Sequence, residues 1–158
     1  MTMSQDVLAA QLLALEPAAT EADAAAALAD AYATFAADAQ AGAAAITAAG
    51  VALGKAAMLA ALVGMSAPGA GSAVLTAAVQ AFWGAVAGGL ATSFPAAAAI
   101  VPPPHSGLQA LLDATFTSNT ATAASGPDAT AAVAADLYGQ AITGGGVTFP
   151  GPVVIPIT

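Results

Sequence analysis

The sequence predicts an all-α fold: a compact Ala-rich bundle of four to six helices with an extended, Pro-containing C-terminal arm. Three observations carry that expectation. Alanine supplies 51 of the 158 residues, and it is the strongest helix former because it loses no side-chain entropy on ordering. Larger apolar residues recur at spacings of three and four through several segments. The last stretch, VTFPGPVVIPIT, holds Pro150, Pro152 and Pro156, which exclude it from a helix. The chain divides on this reading into a helical domain, residues 1–146, and an apolar arm, residues 147–158.

The elements follow in order. Ser4 is placed to cap a short first helix whose Val7, Leu8, Leu12 and Leu15 share a face, closed at Glu16-Pro17. Thr20-Glu21-Ala22-Asp23 reads as an N-cap with acids in the first turn, where the helix dipole favours them. The spacing predicts a helix over 21–48, with Leu28, Tyr32, Phe35, Ala39, Gly42 and Ile46 on one face and Asp23, Asp30 and Asp38 on another. Residues 51–64 read as a third helix, or as a continuation of the second across Gly50. MSAPGAGS (65–72) is a loop by its Pro and Gly content.

Ser72 is positioned to cap a fourth helix, 73–92. Its stripe of Leu75, Val79, Phe82, Trp83, Val86 and Leu90 is dense and apolar, and its far side offers only Thr76, Gln80, Gly84 and Gly88. Phe94-Pro95 closes or kinks it. Residues 96–105, AAAAIVPPPH, read as a polyproline-like connector. A helix follows near 107–117 with Leu108, Leu111, Leu112 and Phe116, and then a Thr/Ser-rich loop, Thr117–Ser125. Pro127 at the first helical position opens a last helix to Ile142, ended by Gly144-Gly145-Gly146. The core is expected from Leu28, Tyr32, Phe35, Val79, Phe82, Trp83, Val86 and Leu90.

Charge is the most restrictive property. The chain carries nine acids and one base, Lys55, for a net charge of −8. Six acids fall in residues 6–38, and residues 56–112 have no charged side chain at all. Nothing is present to displace counterions from phosphates, so nucleic acid is excluded as a partner. A surface so poor in ions is expected to be covered by protein or by lipid.

Catalytic chemistry needs titratable groups that converge. His105 is the one histidine, and its neighbour Ser106 lacks the flanking glycines of a nucleophile elbow. The chain has no cysteine, and its scattered acids have no metal-ligand spacing. Gly64–Ser72 carries Gly71 where a phosphate loop needs its lysine. No cofactor, metal or catalytic residue is expected, and the protein is read as no enzyme.

Two features point to contact with other chains. Gly50-x-x-x-Gly54 and Gly84-x-x-x-Gly88 are small-xxx-small patterns that let helix backbones approach closely. The arm offers Phe149, Val153, Val154, Ile155 and Ile157 for strand addition or groove docking, or for folding back over its own bundle. The leading expectation is a structural subunit of a protein assembly such as a phage virion, tail-like particle or filament. Its partners would be copies of itself and other subunits, met through Gly84, Gly88 and the arm. The alternative is a small two-span membrane protein crossing with residues 41–65 and 73–94. Lys55 mid-span and the absence of flanking bases oppose it. A third reading is a ligand pocket lined by Phe82 and Trp83. MTMSQDVLAAQ lacks the basic start of a signal peptide, so synthesis in the cytoplasm is expected.

Overall fold

The structure, a computed structural model, describes residues 2–15, 17–91, 93–151 and 153–158. Glu16 and Thr92, expected to end the first and fourth helices, and Pro152 of the arm lie outside the described residues. The chain is mostly helical, with a few short strands. The helices are α1 (Gln5–Leu13), α2 (Glu21–Ala36), α3 (Ala48–Ala61), α4 (Gly71–Leu90), α5 (Leu108–Thr122) and α6 (Gly126–Ala141). The strands are β1 (Gln40–Ala41), β2 (Ala44–Ala45), β3 (Ala99–Val101), β4 (Gly146–Thr148) and β5 (Val154–Pro156). The chain is thus mostly helical as expected but not all-α: short strands lie within it, at 40–45 and 99–101, as well as in its last part.

Local chemistry starts α2 as anticipated, and α3 and α6 through caps the sequence reading did not single out, whereas Ser4 precedes α1 without a side-chain capping bond. Thr20 accepts the Asp23 N–H at 3.1 Å, and Ser125 accepts the Asp128 N–H at 3.3 Å with proline in the first turn behind it. Each side chain satisfies a backbone donor that the helix cannot. Thr47 does the same for Gly50 at 3.0 Å and opens α3. On α1, only Leu8 of the expected apolar face is buried. Leu12 is half-buried, and Val7 and Leu15 are exposed.

Four expectations are corrected. The predicted helix 21–48 stops at Ala36, and residues 40–45 form a hairpin, β1–β2, turning at Gly42 with φ +61°. A left-handed turn of this kind favours glycine, which has no Cβ to clash. Gln40 also exchanges backbone hydrogen bonds with Thr158, 2.9 Å in each direction. That pairing comes from the far end of the chain and cannot be read locally. Ser72 does not cap α4, which begins at Gly71 after Ala70. Its hydroxyl instead donates to Asp113 at 2.5 Å, tying α4 to α5.

The Thr117–Ser125 loop is mostly helix, because α5 runs to Thr122. The Thr120 and Thr122 hydroxyls donate back to the Phe116 and Ser118 carbonyls at 2.9 Å, satisfying themselves within the helix. Finally, the connector 96–105 contains β3. It pairs antiparallel with β4, which pairs antiparallel with β5, in the order β3-β4-β5.

The core is built around α4. Leu75, Val79, Phe82, Trp83, Val86 and Leu90 are all buried, as are Tyr32 and Phe35 on α2, while Leu28 is half-buried. Phe82 meets Tyr32 edge to face at 5.1 Å and 84°, and Trp83 at 5.5 Å and 77°. The Trp83 indole N–H donates to the Tyr32 hydroxyl at 2.8 Å, so this dry core leaves neither group unpaired. Burial pushes the Tyr32 hydroxyl pKa upward. Phe82 and Trp83 are thus fully buried core side chains.

The most extensive helix pair is α3 with α4. A Cβ added at Gly54 would stand 2.8 Å from Val86 Cγ2 and 2.9 Å from the Phe82 ring. One added at Gly89 would stand 3.1 Å from Gly50 Cα. Gly50-x-x-x-Gly54 is therefore a true close crossing.

Candidate functional site

The face of α4 opposite the core carries Ala73, Ala77, Gln80, Gly84 and Gly88, all exposed. A Cβ at Gly84 or Gly88 would meet nothing within 4 Å. These two glycines take no part in the internal crossing and leave a bare strip of backbone at the surface. The strip is one wall of a groove of about 450 Å³ whose other wall is Phe94, Ala99, Ile100 and Pro102. Every residue lining it is uncharged.

Strand β3 forms part of this wall and is the edge of its sheet. Among the described residues, β4 is its one strand partner. Such an edge offers unpaired backbone groups to another chain, here over three residues bounded by the Pro102-Pro103-Pro104 run. The edge is short and blunted, which limits how far pairing could spread.

The arm residues divide into two groups. Phe149 stacks edge to face on Phe94, 6.2 Å between centroids at 75°, and its N–H donates to the Val153 carbonyl at 3.1 Å. Val153 and Val154 then stand in solvent, 55% and 59% exposed. Ile155 is half-buried, close to Gly42, and Ile157 is buried, bridging to Ala41. Gly84, Gly88 and Phe94 thus line one uncharged groove with Phe149 stacked on Phe94, while Ile155 is half-buried and Ile157 is turned inward. The tail is folded back along its own chain by β4, β5 and the Gln40–Thr158 bonds.

Several polar groups elsewhere are engaged in structure. Asp113 accepts from Ser72, and Asp136 accepts from Thr115 at 2.5 Å. Lys55 pairs with Asp30 at the surface between α3 and α2. Glu21 accepts from the Gly64 N–H and the Ser66 hydroxyl, and these bonds, the hydroxyl first, hold its pKa below the usual carboxylate value. Among the described residues no three His, Cys, Asp or Glu side chains gather to hold a metal.

Two buried groups differ: the Thr76 hydroxyl on α4 and the His105 ring have no hydrogen-bond partner. His105 is buried and has φ +50°. Burial pushes its pKa down, against a smaller opposing pull from the Pro103 backbone. Ser106 beside it points to solvent exposure rather than to a shared site. What the arrangement can do chemically is hold an apolar, uncharged partner segment against the groove and the sheet edge.

Sequence reasoning missed two surfaces. One is the β3 edge, hidden in a stretch of alanines. The other is the outer face of α3, where Leu53 is 58% and Val63 is 78% exposed. The signal for the second was present: Gly50, Gly54 and Met58 mark the inner face, so Leu53, Leu59 and Val63 lie off it. Comparison with known protein families, curated proteins and solved structures found no match to this chain.

Proposed function

We propose that this chain is a non-enzymatic structural subunit of a protein assembly, a particle or filament in which neutral surfaces pack between subunits. The observation that carries the reading is the uncharged groove of Gly84, Gly88 and Phe94 with Phe149 stacked on it, together with the exposed Val153 and Val154 of the arm. A surface left permanently in water is expected to carry roughly a quarter charged residues. Residues 56–112 contribute none, yet Val63, Val101 and Leu111 among them are exposed. The arm residues Phe149, Val153 and Val154, with Gly84 and Gly88, are the contacts assigned to partner subunits. Ile155 and Ile157 hold the arm in place behind them.

The second reading, a two-span membrane protein, draws on α4, which is long and apolar enough to cross a bilayer. Half of that helix is buried among other helices and carries the Trp83–Tyr32 bond. Its would-be partner span, residues 41–65, is divided between a hairpin and the 14-residue α3. At 1.5 Å per residue that helix reaches about 21 Å, short of the roughly 30 Å hydrocarbon core. The assembly reading needs no such rearrangement.

The test is purification without detergent followed by electron microscopy and detergent-phase partition. Particles or filaments in the aqueous phase support the structural role. Recovery in the detergent phase, or flotation with liposomes, overturns it in favour of the membrane reading.

A further inference from the structure

We propose that His105 is an acid-sensitive latch: when its ring takes up a proton it leaves its buried site and lifts the Pro102-Pro103-Pro104 run off the Gly144-Gly145 backbone. The release loosens β3, β4 and β5 while the helical core stays folded. It goes beyond the assembly role and does not require it.

His105 follows the proline run and leads into α5. It is 1% exposed, and neither ring nitrogen has a hydrogen-bond partner. Its backbone is left-handed at φ +50°, and Gly107, two residues on, is left-handed at φ +83°. A non-glycine residue holds that conformation at a cost and keeps it only where its surroundings impose it. Release lets His105 return to an ordinary φ, so the open form sheds this strain.

Close packing connects this residue to the sheet. A Cβ on Gly145 would stand 2.7 Å from Pro103 Cδ, and one on Gly144 would stand 3.0 Å from Pro104 Cδ. The two prolines before His105 therefore lie directly on the glycine backbone. Gly145 extends the connection, because its carbonyl accepts the Ile157 N–H at 3.2 Å. Beside this junction Val101 pairs with Gly146, and Gly146 pairs with Pro156. Movement of the proline run thus reaches all three strands through consecutive contacts. The loosened segment carries Val153 and Val154, so acid would also disperse arm surface assigned to partner subunits. That consequence alone rests on the assembly reading.

The surroundings offer a protonated ring little compensation. Burial disfavours the charged form, and the pull of the Pro103 backbone toward it is the smaller effect. Helix α4 and strands β3, β4 and β5 hold no titratable side chain. On α5, Asp113 accepts from Ser72, and on α6, Asp128 and Asp136 accept from Ser125 and Thr115. Tyr138 of α6 packs its ring on Phe35. Above about pH 6.5 the imidazole is neutral in both forms and the latch stays shut. Below that value the open form gains a proton that the closed form resists.

The test is hydrogen exchange of the full wild-type chain at about pH 7.5 and about pH 5.5, on either side of the ordinary histidine value, with rates corrected for intrinsic exchange. An open form whose ring titrates at about 6.5 becomes about tenfold more populated over that interval. Peptides covering 99–106 and 144–158 should therefore lose about tenfold in protection, and stay less protected than 75–90 of α4 at both pH values. His105→Asn should abolish the loss. The chain has a single histidine, so its imidazole NMR signal can also be titrated without any variant, with a midpoint expected below about 6.5. Three exchange results overturn the latch: unchanged protection in acid, sheet and α4 equally protected and falling together, or an equal loss in His105→Asn. A ring that titrates at about 6.5 or higher in the folded chain overturns it too.

Discussion

Trp83 donates its indole N–H to the hydroxyl of Tyr32 at 2.8 Å, and both residues are fully buried. This single bond stitches α4 to α2 across the centre of a core whose other members are mostly alanine and aliphatic side chains, with Phe35 and Phe82 beside it. Burying one alanine methyl contributes only about 0.8 kcal/mol, so the aromatic cluster of Tyr32, Phe35, Phe82 and Trp83 carries a large share of the packing. Tyr32→Phe keeps the ring and strands the Trp83 N–H in a dry site. It should lower unfolding free energy by about 1–3 kcal/mol, read by urea titration of Trp83 fluorescence.

The two glycine patterns should respond in opposite directions. Gly54→Ala places a methyl 2.8 Å from Val86 Cγ2 and 2.9 Å from the Phe82 ring. Overpacking of this kind costs about 1–3 kcal/mol, more than the roughly 1 kcal/mol of helix propensity it gains. Gly84→Ala meets nothing within 4 Å and should raise stability by up to about 1 kcal/mol. Thermal unfolding of the two variants checks both signs. If the Gly84 strip seats a neighbouring subunit, assembly of Gly84→Ala weakens even as its melting temperature rises.

Residues of the arm should separate by role. Ile157 is 1% exposed and bridges to Ala41, so Ile157→Ala should cost about 2–4 kcal/mol. Val153 and Val154 are more than half exposed. Val153→Asp with Val154→Asp should leave the melting temperature nearly unchanged and reduce particle mass in light scattering.

His105 gives a pH dependence with a defined sign. Burial lowers its pKa in the folded state below the ordinary value of 6.5. Above that value both states hold it neutral and it contributes nothing. As pH falls below about 6.5 the unfolded chain gains a proton that the folded chain resists, so stability declines. Melting temperature should therefore drop between pH 7.5 and 5.5, above the ordinary carboxylate range, in buffers chosen around those two values. His105→Asn tolerates the left-handed backbone and should flatten the profile.

The parts of the fold legible in the sequence were those governed by near neighbours. Thr20 caps α2 and Pro127 lies in the first turn of α6 as their positions suggest, and the Leu75-to-Leu90 stripe is buried as its spacing requires. What was illegible depended on distant partners. The hairpin that follows α2 is joined by Gln40 to Thr158, residues 118 positions apart. Strand β3 exists because Val147 lies beside Ile100. The glycine patterns were visible as patterns, but only packing distinguishes Gly54, wedged under Phe82, from Gly84, open to solvent. Val153 and Val154 were identified with Ile155 and Ile157 as one arm; alternation along β5 separates Val154 from Ile155, while Val153 lies before the strand and is exposed.

Sedimentation velocity of the detergent-free wild-type chain across micromolar concentrations decides whether its ion-poor surface is covered by copies of itself. A structural-subunit role predicts concentration-dependent species far larger than the 14.8 kDa chain. A single boundary at monomer mass throughout that range, with Val153 and Val154 left in water, would contradict it.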